Sequence, residues 1–164
     1  MTIVYVIDTS YLLELFEVPR FSNKASATTV RSFYAKAIES KSRLFVPVSC
    51  IFETANHIAD VSNGAQRHKL ASKLYQSVKQ SLEESVPWVI TPKDSPQKAL
   101  PRLLTEFLNS HVRQRIGLTD TQVIEEARRL KADYTSFGYQ VHIWTTDKRV
   151  KALEPDAELS PFVG

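Results

Sequence analysis

Hydrophobic positions along this chain alternate between two rhythms. Residues 2–7 (TIVYVI) form a near-continuous apolar run, as expected of a strand buried on both faces. A helical rhythm follows at once in SYLLELFE, and VPRFSN breaks it. In ATTVRSFYAKAIESK, Val30, Phe33, Tyr34, Ala37 and Ile38 recur at helical spacing. RLFVPV predicts a second strand closed by Pro47. SCIFETANHIADVSNG predicts a helix with Ser49 as N-cap and Gly64 as its stop. QRHKLASKLYQSVKQSLEES predicts a long helix with the stripe Leu70, Leu74, Val78 and Leu82. VPWVIT predicts a third strand, which Pro87 assigns to an edge or a strand start.

SPQKALPRLLTEFLNSH predicts another helix, with Pro101 in its first turn or at a kink. The clearest helix is LTDTQVIEEARRLKADYTSFG, between a capping box of Thr119 with Gln122 and a stop at Gly138. QVHIWTT is a strand and KRVKAL a short helix. The acidic tail from Glu154 predicts a last short strand near LSPF. Strands that alternate with helices predict a three-layer α/β/α domain around a mostly parallel sheet. One domain is expected over residues 1–164, with a helical elaboration at about 65–110. Ligands of such sheets gather at the C-terminal ends of the strands.

Composition narrows the function classes. With 43% hydrophobic and 24% charged residues, the 164-residue chain has the make-up of a globular domain. Its net charge of +3 and pI near 9.0 suit a nucleic-acid partner without requiring one. Cys50 is the only cysteine, which excludes an internal disulfide and a multi-cysteine zinc site and fits a reducing cytoplasm. No basic flank precedes the first apolar run, so no signal peptide is expected. No apolar stretch approaches the ~20 residues of a membrane helix. With four glycines and neither a G-x-G-x-x-G nor a Walker pattern, a glycine-loop nucleotide cradle is not expected.

The carboxylates carry the candidate chemistry. Asp8 ends the first strand, and Asp147 follows QVHIWTT. On parallel neighbouring strands both reach one rim of the sheet. At about 100° per residue, Val123, Ile124, Ala127, Leu130 and Tyr134 share a face with Asp120, so Asp120 heads a buried stripe. Its position also suits a favourable charge in the first helical turn. Glu53 sits with Asn56, His57 and Asp60 opposite Ile51, Ala55 and Ile58, on a face open to solvent or to a cleft. Asp147 also suits an N-cap for KRVKAL. Convergence of Asp8, Glu53, Asp120 and Asp147 would be costly without a hard cation such as Mg²⁺ or Mn²⁺. Such a site suits phosphodiester hydrolysis. Thr9, Ser10, Thr145 and Thr146 flank the acids and can orient carboxylates or water, and Asn56 can hydrogen-bond an acid. Arg20, Lys24, Arg113, Arg115, Lys148 and Arg149 are candidate phosphate contacts.

In order and context these residues resemble PIN-domain ribonucleases, most closely the toxins of bacterial toxin–antitoxin pairs. The matching segments are VIDTSYLL, Glu53 in SCIFETANH, Asp120 in GLTDTQVIEEARRL and Asp147 in HIWTTDKRV. The resemblance covers residues 3–153, nearly the whole chain. It implies a PIN-like fold and Mg²⁺- or Mn²⁺-dependent endonucleolytic cleavage of RNA by these four acids, with single-stranded RNA, tRNA or mRNA as substrate. It also implies homodimers and a cognate antitoxin protein. Two features depart from the pattern. The span from Glu53 to Asp120 is longer than in compact toxins, and Lys148 and Arg149 stand where many relatives carry a further acid. The competing reading is a non-catalytic RNA- or protein-binding module on the same fold.

Overall fold

The computed structural model describes residues 2–93, 95–134 and 138–164. Strand β1 (Ile3–Ile7) runs into α1 (Thr9–Leu15) and α2 (Lys24–Glu39). Next come β2 (Arg43–Pro47), α3 (Val48–Ala59), α4 (Gly64–Glu84) and β3 (Val89–Thr91). The chain continues with α5 (Pro96–Glu106), α6 (Leu118–Tyr134), β4 (Gln140–Trp144) and α7 (Lys148–Lys151). The four strands form one all-parallel sheet in the order β3-β2-β1-β4, flanked by helices in a three-layer arrangement.

Parallel strands need helical crossovers, and the apolar runs supply what lies beneath them. Val4, Val6, Val141, Ile143 and Val46 are fully buried. Tyr5 and Tyr11 both stack on Trp144, with ring centroids 4.0 and 5.5 Å away. This aromatic cluster fixes β1 against β4. The chain leaves β1 toward β2 on one side and later returns through β4 on the other. The order therefore reverses between β1 and β4, the place where open parallel sheets form a crevice.

Several local expectations are corrected. Helix α3 starts at Val48 with Pro47 as its N-cap, and Ser49 Oγ is buried without a hydrogen-bond partner. Strand β2 passes straight into α3, and the fixed φ of Pro47 makes that junction without a side-chain cap. Gly64 is the first residue of α4, not a stop; Asn63 caps that helix by accepting from Gln66 N–H at 2.9 Å. Leu70 and Leu74 are buried and Val78 partly so, but Leu82 is 68% exposed and Ser81 takes its place. Each i+4 step overshoots a turn by about 40°, so three such steps carry Leu82 off the stripe. Ala55 is exposed at the margin of this face, and Cys50, Ile51, Thr54 and Ile58 form the buried face of α3.

Helix α6 begins at Leu118, so Thr119 lies inside its first turn. The reach-back bond of the cap comes instead from Asp120, whose Oδ2 accepts from Gly117 N–H at 3.2 Å. Pro101 lies within α5, and the chain then continues through a π-helical turn (Phe107–His111) and a 3₁₀ turn (Val112–Gln114). Helix α6 is described as far as Tyr134, residues 135–137 of the expected stretch lie outside the described residues, and Gly138 has φ +66.

No strand forms near LSPF; the tail covers the free edge of β4 with side chains instead. Asp156 Oδ2 accepts from Val141 N–H at 2.8 Å, and Glu154 Oε2 from Ile143 N–H at 3.0 Å. Lys151 Nζ donates to Ile143 O, Glu154 and Glu158 at 2.9, 2.7 and 2.6 Å. Carboxylates thus satisfy edge donors that an adjacent strand would have taken. One backbone bond joins tail and strand, from Asp156 N–H to Val141 O at 3.3 Å, and no ladder extends from it.

The Lys151 ammonium is 9% exposed and neutralises two carboxylates that are nearly as buried. Lys151→Met leaves both charges without a counterion. Denaturant unfolding at neutral pH should show a loss of about 3 kcal/mol. A loss below about 1 kcal/mol would mean that water already screens the cluster.

Candidate active site

Asp8 lies at the switch point because β1 ends there. Its backbone N–H donates to Trp144 O at 2.9 Å, continuing the pairing of Ile7 with Trp144. The carboxylate is 4% exposed. Oδ2 accepts from Ser10 Oγ at 2.9 Å and from Thr145 Oγ1 at 2.8 Å. The two hydroxyls lie 3.4 Å apart, Thr146 N–H donates to Ser10 Oγ, and Asp147 N–H donates to Thr145 Oγ1. One network therefore joins the start of α1 to the turn after β4. Thr146 enters it through its backbone rather than its hydroxyl.

Glu53 is partly buried rather than fully open to solvent. Helix α3 turns it toward α1, where Thr9 Oγ1 donates to Glu53 Oε2 at 3.0 Å. Asp120 is half-buried at the head of α6, above the buried Val123, Ile124, Ala127 and Leu130. Asp147 is the N-cap of α7, accepting from Arg149 N–H at 2.8 Å, so it fills the local role that helix capping alone predicts. The Arg149 guanidinium also grips it, with Nη2 2.6 Å from Oδ2.

Electrostatics connect the four acids. Burial raises the Asp8 carboxyl above the ordinary range; the Thr145 and Ser10 hydroxyls oppose this and the Glu53 charge adds to it. Asp120 is pushed up to about 6, first by burial, then by the charges of Asp8, Asp147 and Glu53, against the Gly117 amide. Asp147 goes the other way, held below the ordinary range chiefly by Arg149. The charges of Asp8, Glu53 and Asp147 all act on Asp120, and that of Glu53 acts on Asp8. Among the described residues, no three His, Cys, Asp or Glu side chains are grouped so as to hold a metal ion. As placed, Asp120 is turned to its cap, Glu53 to Thr9 and Asp147 to Arg149. The donor chemistry, carboxylates with hydroxyl support, fits a hard divalent cation such as Mg²⁺ or Mn²⁺.

Other expected residues fall into place or away from it. Asn56 is exposed on α3, and His57 packs on the Phe21 ring at 4.2 Å. Arg20, Lys24, Arg113, Arg115, Lys148 and Arg149 are all exposed. Trp88 and Trp144 are core residues, and Tyr139 stacks on Tyr134.

Three contacts lie outside the roles expected from the sequence. Cys50 is fully buried beneath the site, where burial and the Asp8 charge push its thiol well up. His111 is buried and its Nδ1 lies 3.0 Å from Thr121 Oγ1, which donates to Gly117 O and so braces the start of α6. Arg149 bonds the carbonyl of Arg115 at 3.1 Å. The sequence signal for the first was its place four residues before Thr54; the other two are contacts across the fold that local pattern does not encode. No family model matches this chain, and no curated protein or solved structure matches it.

The raised Asp120 carboxyl sets a pH dependence. Folding raises this group from 3.8 to about 6, so the folded chain retains a proton that the unfolded chain has lost. Stability therefore falls as pH rises from about 4 to about 6 and levels off above that. Asp120→Asn keeps an acceptor for the Gly117 amide and removes the charge. In chelator, its Tm should exceed the parent's at about pH 8, and the gap should close toward about pH 4. Calorimetric melting across that range is the check; a gap independent of pH would refute the coupling.

Proposed function

We propose that this chain is a metal-dependent endoribonuclease of the PIN-domain class, acting as the toxin of a toxin–antitoxin pair. One observation carries the reading. A buried carboxylate, Asp8, ends the central strand at the switch point, and the charges of Glu53, Asp120 and Asp147 act on the same crevice. Hydrogen bonds from Ser10 and Thr145 offset only part of the cost of burying this carboxylate, and a bound cation would offset more. Asp8, Glu53, Asp120 and Asp147 would hold Mg²⁺ or Mn²⁺. When bound, such an ion lowers the pKa of its water and neutralises the phosphodiester.

The chain's own residues prepare the site. Ser10 and Thr145 fix the orientation of Asp8, and Thr9 fixes Glu53. The Gly117 amide fixes Asp120 at the head of α6. Exposed Arg20, Lys24, Arg113, Arg115 and Lys148 offer phosphate contacts to single-stranded RNA, tRNA or mRNA. No described helix is long and apolar enough to cross a membrane, in keeping with a cytoplasmic RNA target. The same reading brings a cognate antitoxin protein and a homodimer. A second reading, a binding module without catalysis, draws support from the local partners that already occupy Glu53, Asp120 and Asp147.

Cleavage of labelled single-stranded RNA and tRNA by the parent and by Asp8→Ala, each in Mn²⁺, Mg²⁺ and EDTA, separates the two. The nuclease reading expects metal-dependent cutting that falls more than about a hundredfold in the variant, since even outer-shell changes at metal sites cost 10–100-fold. Binding of the same RNAs with no cutting in any metal would favour the module. Robust cleavage by Asp8→Ala would refute the four-acid site.

A further inference from the structure

Arg149 makes the most directed contacts on the rim. Its Nε and backbone N–H donate to Asp147 Oδ1 at 3.1 and 2.8 Å, and Nη2 donates to Oδ2 at 2.6 Å. Both oxygens of Asp147 are therefore taken by one residue, the fork geometry in which arginine binds carboxylates best. Nη1 reaches across to the carbonyl oxygen of Arg115 at 3.1 Å. Arg115 closes the 3₁₀ turn in a left-handed conformation, φ +58. Two residues later comes Gly117, whose amide binds Asp120. One guanidinium thus ties the acid after β4 to the connection that carries the acid of α6.

The tie is well formed but shallow. The Arg149 side chain is 53% exposed and that of Asp147 27% exposed. Water can solvate the guanidinium as it leaves, so releasing it costs little. A deeply buried fork would be locked in place. Asp147 carries a full positive counterion, which holds its carboxyl below the ordinary range. Lys148, its immediate neighbour, is equally exposed but makes no such fork.

We propose that Arg149 is an exchangeable counterion of the acidic rim: it neutralises Asp147 in the cation-free chain, yields Asp147 to an incoming divalent cation, and in leaving releases the Arg115–Gly117 connection. The inference rests on the reading of the rim as a metal site. Arg149 is a positioning residue: it acts on the cation through Asp147 and on Asp120 through the Arg115 carbonyl. No bond other than hydrogen bonds changes, and the guanidinium stays protonated throughout.

Calorimetric titration with Mn²⁺ tests the exchange in the full chain, comparing parent, Arg149→Gln, Arg149→Lys and Lys148→Gln. Arg149→Gln removes fork and charge. Arg149→Lys keeps the charge and loses the fork. Lys148→Gln removes a nearby charge that has no fork to Asp147. The counterion role expects both Arg149 variants to bind Mn²⁺ about fivefold tighter than the parent, the worth of an exposed ion pair, and Lys148→Gln to change affinity less than about twofold. Hydrogen exchange supplies a second readout. Amides of residues 113–117 should exchange faster in both Arg149 variants, and Mn²⁺ should speed them in the parent only.

Binding by the Arg149 variants with none by the parent would also support the exchange. Equal affinity in parent, Arg149→Gln and Arg149→Lys overturns the exchange and leaves the metal site standing. A gain in Arg149→Gln and Lys148→Gln but not Arg149→Lys overturns it as a general charge effect. Absence of Mn²⁺ binding in all four proteins overturns both the exchange and the metal-site reading.

Discussion

The pairing of β1 with β4 is the constraint on which the candidate site depends. It places Ile7 opposite Trp144 and so sets Asp8 against Thr145. A shift of one residue would turn Val4, Val6, Val141 and Ile143 to the wrong faces, and the core would not close. The register is therefore chosen by hydrophobic burial, which is indifferent to chemistry. Its by-product is a carboxylate at the strand end, out of water, with two hydroxyls within bonding distance. The aromatic stack of Tyr5 and Tyr11 on Trp144 reinforces the same register from the faces of the sheet.

Burial at that position is a cost the fold must offset. The Ser10 and Thr145 hydroxyls and the Thr9 backbone N–H cannot fully replace the hydration of a carboxylate, and burial raises the Asp8 carboxyl above the ordinary range. The neighbouring acids worsen it. The fold responds differently at each: Asp120 binds its own helix cap, Glu53 takes the Thr9 hydroxyl, and Asp147 takes an arginine. Each of these acids thus has a partner of its own, and none of the three is left to burial alone.

The sheet and most helices were legible in the sequence because burial leaves a periodic trace. A continuous apolar run marks β1 and β4, and the stripe below Asp120 marks α6 and points its acid inward. What failed was finer. Fixed i+4 counting carried Leu82 onto a face it does not occupy. Capping was misplaced at Ser49 and Thr119, because a hydroxyl near a helix start says nothing about the angle at which the strand enters. The tail was expected as a strand because its edge role was real, but carboxylates of Glu154 and Asp156 fill that role by side chain. Around Asp8 and Glu53, the hydroxyls of Thr9, Ser10 and Thr145 could be named from motif order. The Arg149 fork could not, since Lys148 and Arg149 are equal in pattern and differ only in where α7 points them.

That last difference shows how the site and the fold edge are linked. Helix α7 is four residues long and carries opposite duties at its two ends. Its first turn presents Asp147 and Arg149 to the crevice. Its last residue, Lys151, turns inward to hold Glu154 and Glu158 beneath the β4 edge. A helix this short has little stability of its own. It stands because Val150 is buried and Lys151 is anchored on both sides. The edge cluster is therefore what fixes the angle of α7, and the angle of α7 is what aims Arg149 at Asp147. Loosening the cluster would act first on stability and then, through this short lever, on the charge balance of the rim.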